Sequence, residues 1–179
     1  MARAPLFRTG RAAEVAPIVV MLRENGEAAL GAAAPGLATA ARRLERLPPR
    51  EAVVTDAHLH AREWIPRDGR VQKVDALDHG DGIWFPGPAD FAWDLAGAAV
   101  EHALPDGALA ELAGHCAAAS GDSPGELAQA AVAYRPAYAA FAFAEARLSS
   151  LEAEAADRRR LEREAERYRG ALAAALRVA

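Results

Sequence analysis

Residues 51–96, EAVVTDAHLHAREWIPRDGRVQKVDALDHGDGIWFPGPADFAWDLA, decide how the chain is read. Ala52-Val53-Val54-Thr55 is a short run of β-favouring residues. Glu63-Trp64-Ile65-Pro66 and Val71-Gln72-Lys73-Val74-Asp75 flank Asp68-Gly69, a residue pair suited to a two-residue hairpin turn. Residues 76–90 are rich in Gly, Pro and Asp and read as loop. Phe91-Ala92-Trp93-Asp94-Leu95-Ala96 then opens a helix. In this stretch polar and aromatic groups gather outside any helical pattern, and chemistry tends to sit on such loops when a rigid scaffold holds them.

Helix is expected on both sides. Residues 1–50 form a helical lead-in. Val15, Val19, Leu22 and Leu30 recur at helical spacing, Pro35-Gly36 breaks the run, and Leu37, Ala41, Leu44 and Leu47 mark a second helix before Pro48-Pro49. Residues 91–179 form a helical bundle. Breaks fall near Leu104-Pro105 and Ser120-Gly121, Asp106 stands where a cap is needed, and Pro124 suits a first helical position. Pro136 interrupts the apolar run 130–146, and one long helix over 148–177 lines up Leu148, Leu151, Ala155, Leu161, Ala165, Tyr168, Leu172 and Leu176. The expected fold is α+β and mostly α-helical, a single domain over 1–179 with a small hairpin element.

Composition narrows the function classes. Of 179 residues, 48 are Ala, which favours helix but buries little area. The net charge of −4 gives no footprint for nucleic acid or a membrane surface. The lone Cys116 excludes an intrachain disulfide, and no run of 18 uncharged apolar residues exists, so a cytoplasmic protein is expected. Twenty of the 21 basic residues are Arg, and Lys73 is the single Lys.

Two constellations carry chemistry. Asp56-x-His58-x-His60 follows the first short strand, and a continued strand would put both imidazoles on one face, where they can ligate a metal beside an acid. The string resembles the metal motif of amidohydrolase-type barrels. A complete barrel needs about 250 residues, so this reading is a small metal-dependent hydrolase.

The second constellation is an order of pieces. A strand and loop with Asp56 to Glu63 lead to a hairpin ending in Val74-Asp75, then a loop, then Trp93-Asp94-Leu95-Ala96 and helices. Tyr134-Arg135-Pro136-Ala137-Tyr138 falls among the closing helices. Over about residues 50–150 this resembles the C-terminal lobe of the aminoglycoside phosphotransferase and choline kinase group, which has a protein-kinase-like fold. In that family a loop of the form His-Gly-Asp-Leu-His-Pro-x-Asn precedes a hairpin that ends in a magnesium-binding Asp, and a later Asp-Leu-Ala buttresses the loop.

Carried over through Leu59-His60, the resemblance places Asp56 at the leading His, His58 at the catalytic Asp and Glu63 at the metal-binding Asn. The magnesium Asp falls on Asp75, or on Asp78 through Leu77-Asp78-His79, and Asp94 is the buttress. It implies His58 and Asp56 as catalytic groups, Glu63, Asp75 and Asp78 as metal ligands, ATP and Mg²⁺ as cofactors, and a small-molecule hydroxyl as acceptor. The chain departs from the pattern at two central positions. It also lacks a strand-rich segment with a Gly-rich turn and an anchoring Lys before residue 50, so the N-terminal nucleotide lobe is missing. The reading is therefore a phosphotransferase-like protein, incomplete or weakly active as this chain, with self-association or a second chain supplying the lobe. The contrasting reading is a non-catalytic remnant, a helical module without cofactor that binds a partner.

Overall fold

The computed structural model describes residues 8–74, 85 and 87–178. Strands are β1 (Arg8–Ala12), β2 (Glu51–Val53), β3 (Trp64–Arg67), β4 (Arg70–Lys73) and β5 (Ala89–Asp90). Helices are α1 (Ala16–Leu30), α2 (Leu37–Glu45), α3 (Ala92–Glu101), α4 (Asp106–Ser120), α5 (Pro124–Glu152) and α6 (Ala155–Val178). Among the described residues the protein is mostly helical, with two small antiparallel sheets, one ordered β1-β2-β5 and the other the β3-β4 hairpin. None of the described helices is long and apolar enough to cross a membrane.

The chain divides into two compact units. The first comprises Met1–Glu14 and Pro49–Val132, the second Val15–Pro48 and Ala133–Ala179.

In the first unit the hairpin forms where Asp68-Gly69 predicts it. Both turn residues take positive φ, 51° and 71°, the pairing of signs that matches the twist of flanking strands. Trp64 faces Lys73 and Arg67 faces Arg70 in the register. The other sheet corrects the lead-in: residues 8–12 are strand, not helix, and pair with Glu51 and Val53. The end of the Gly/Pro-rich loop is likewise strand, Ala89–Asp90, paired with β2. Asp106 is the first residue of α4, one position inside Pro105, which stands as the N-cap.

The second unit is helical. Ile18, Val19 and Leu22 of α1, and Leu37, Ala40, Ala41 and Leu44 of α2, are buried. Two glycines permit close approach. A Cβ on Gly26 would lie 2.6 Å from Leu37 Cδ1, and one on Gly36, at φ 85°, would lie 2.6 Å from the Leu176 carbonyl oxygen. α5 runs unbroken past Pro136. The lost amide bond is outweighed by burial of Ala133, Tyr134, Ala137 and Tyr138 around it. The expected single helix over 148–177 is instead the end of α5 and the whole of α6. Leu148 and Leu151 are exposed, while Ala165, Tyr168, Leu172 and Leu176 form the buried stripe.

Candidate functional site

The loop between β2 and the hairpin, residues 54–63, is irregular apart from a 3₁₀ turn at Ala61–Glu63. The strand stops at Val53, so the alternation that would align His58 with His60 does not operate. The rings still meet, with centroids 5.5 Å apart and planes tilted by 35°.

An irregular loop this buried needs partners for its backbone groups, and α3 supplies them. Asp94 Oδ2 accepts the Asp56 amide and Oδ1 accepts the Ala57 amide, both at 3.1 Å. The indole of fully buried Trp93 donates to the Ala57 carbonyl at 3.1 Å. Ala57 is buried with φ 65°, a left-handed conformation that costs a non-glycine residue free energy. Its amide and carbonyl are both gripped by adjacent residues of one helix, and this offsets the strain. Two turns further along α3, Glu101 Oε2 accepts the Ala61 amide at 3.3 Å, while its Oε1 lies 3.6 Å from His60 Nδ1. Asp94 and Glu101 are seven residues apart, a spacing that returns to the same helix face. One face of α3 thus holds the loop at both ends. Phe85 packs on the Trp93 ring with centroids 4.8 Å apart, which ties Phe85 to the same helix.

Desolvation pushes the Asp94 carboxyl up to about 7; the two amide bonds and the Lys73 charge pull it down but offset only part of that cost, and the Asp56 charge adds to it. From 3.8 up to about 7 the folded chain keeps a proton on Asp94 that the unfolded chain has released. This group's contribution to stability is therefore fully present at low pH and is lost as pH rises through that window. Urea denaturation of wild type and Asp94→Asn across the window is expected to show a wild-type advantage that shrinks with rising pH. An advantage that grows with pH would contradict it.

Lys73 closes the site. Its Nζ lies 2.7 Å from Asp56 Oδ1 and 3.1 Å from Glu63 Oε2, and all three side chains are largely buried. Strand pairing delivers it there. Val74 N–H donates to the Glu63 carbonyl at 2.9 Å, so Glu63 and Lys73 meet at the base of the hairpin.

The expected site residues thus fall into two groups. Asp56, His58, Glu63 and Asp94 come together around the loop. Asp75 and Asp78 lie outside the described residues. Lys73 and Glu101 enter as site residues that the motif reading passes over. Glu101 was findable from its spacing to Asp94. Lys73 was conspicuous only as the single Lys. A second buried cluster braces the sheet below: Arg50 Nε is 2.9 Å from Asp90 Oδ1 and its NH2 nitrogen 3.0 Å from Asp122 Oδ1, while Asp90 also accepts the Ala92 amide at 3.0 Å. No family model, curated protein or solved structure matches the chain.

Proposed function

We propose that the loop-bearing unit is a kinase-like C-terminal lobe of the aminoglycoside phosphotransferase and choline kinase type, and that its chemistry is slow phosphoryl transfer from ATP to a small-molecule hydroxyl. The observation that carries this reading is the two-amide grip of Asp94 on Asp56 and Ala57. A carboxylate from a Trp-Asp-Leu-Ala helix start, reaching back to the loop between a short strand and a hairpin, is the buttress that the resemblance implies.

In the transfer, the acceptor oxygen bonds to the γ-phosphorus as the bond to the β–γ bridging oxygen breaks, and the hydroxyl proton must leave. His58 stands at the base position and would take that proton. Asp94, Trp93 and Glu101 hold the loop backbone so that His58 is fixed in place. Slow turnover is expected because His58 Nε2 is buried. The family's magnesium does not fit the donors on view. Asp56 and Glu63 already share the Lys73 ammonium, and no step is assigned to a metal there.

ATP with Mg²⁺ at millimolar concentration is expected to raise the melting temperature of the whole chain. A flat curve would contradict the reading and leave the partner-binding remnant in its place.

A further inference from the structure

We propose that Lys73 is the resident cation of this loop. Its ammonium takes the ground between Asp56 and Glu63 that a divalent ion would otherwise occupy, so the carboxylate pair holds no metal in the native chain and becomes a metal site once the amine is removed. The inference rests on the kinase-like reading, which puts a metal ligand at Glu63.

The geometry supports a substitution of one cation by another. Two carboxylate oxygens from different segments converge on one nitrogen at 2.7 and 3.1 Å. The side chains of Lys73, Asp56 and Glu63 are 8%, 15% and 13% exposed, so water does little of the neutralising. Each carboxylate is anchored independently of Lys73: the Asp56 amide is held by Asp94, and the Glu63 amide and carbonyl bond to the His60 carbonyl and the Val74 amide. Removal of the amine therefore leaves two facing acids whose backbones have reason to stay. Lysine suits the place because an ammonium is a compact point charge, whereas a guanidinium spreads its charge over a planar fork. The chain's other 20 basic residues are all Arg. Hard divalent ions take oxygen ligands of this kind.

The test uses Mn²⁺ alone, titrated into the full chain and followed by the loss of the free-ion electron paramagnetic resonance signal. Lys73→Met, which keeps an apolar stem, is expected to bind Mn²⁺ at least about tenfold more tightly than wild type, since a repelling unit charge has left the site. The gain should vanish in Lys73→Met/Glu63→Gln, and Glu63→Gln alone should leave wild-type Mn²⁺ binding unchanged. No gain in Lys73→Met, a gain that survives Glu63→Gln, or weaker binding in Glu63→Gln alone would each overturn the proposal. Should Lys73→Met be too unstable to titrate, the melting temperature of Lys73→Gln serves instead. Mn²⁺ should raise it while leaving wild type unmoved, and equal responses would overturn the proposal. No nucleotide enters these measurements. A flat ATP–Mg²⁺ curve beside a Mn²⁺ gain would remove the kinase-like reading and keep the cation exchange.

Discussion

Asp94→Ala is expected to destabilise the chain by about 2–4 kcal/mol, because it strips the acceptor from two amides at once and leaves both without a partner in a buried loop. The loss does not stop at two hydrogen bonds. Ala57 sits at φ 65°, and a strained conformation persists only while its surroundings over-determine it. With the amide released, the Trp93 indole alone holds Ala57 through its carbonyl, and the loop is free to relax away from the conformation that places His58. Any phosphoryl transfer should fall with it. Asp94→Asn should cost less, since its amide oxygen still accepts one of the two bonds. Equilibrium denaturation of the three proteins checks the order wild type, Asn, Ala. Equal stability of wild type and Asp94→Ala would show that the grip contributes nothing.

The other large effect is expected at the base of the sheet. Arg50→Met should cost about 3–5 kcal/mol at neutral pH, the usual consequence of removing one partner from a buried ion pair. Asp90 is 2% exposed, and burial already holds its carboxyl above the ordinary range despite Arg50. Without the guanidinium its pKa rises further. The added cost is therefore absent where both states are protonated and appears as pH rises through the Asp90 titration. Denaturation midpoints should show the gap between wild type and Arg50→Met narrowing at acid pH. Arg50→Met/Asp90→Asn should recover a good part of the loss at neutral pH, because Asn still accepts the Ala92 amide that Asp90 holds at 3.0 Å. A gap independent of pH would mean that packing of the Arg50 stem, and not the stranded carboxylate, sets the cost.

How much of this was legible in the sequence depends on the range of the forces involved. The hairpin was legible because Asp68-Gly69 carries the turn conformation in the residue types themselves. The start of α3 was legible for the same local reason. β1 was not. Arg8-Thr9-Gly10-Arg11-Ala12 shows no alternation, is exposed throughout, and becomes strand only by pairing with residues some 40 positions away. The end of α5 was not legible either, because no Gly or Pro marks residues 153–154. An Ala-rich helix offers few large side chains by which a change of face could be read.

The candidate site divides along the same line. Asp94 was singled out by its Trp-Asp-Leu-Ala setting, and Glu101 lies on the same face at a spacing anyone can count. The meeting of Lys73 with Asp56 and Glu63 depends on the hairpin folding back onto the loop. The sequence shows each of the three residues but not that they share a place.

Amide hydrogen exchange read by NMR shows most directly whether Asp94 holds the Asp56–Ala57 backbone. Exchange at Asp56 and Ala57 should be slow in wild type and should accelerate by about a hundredfold in Asp94→Ala, equivalent to roughly 3 kcal/mol of lost local protection. Amides within α1 should be spared. Fast exchange at Asp56 and Ala57 in the wild-type chain, or protection there that Asp94→Ala leaves untouched, would mean that Asp94 does not hold this backbone.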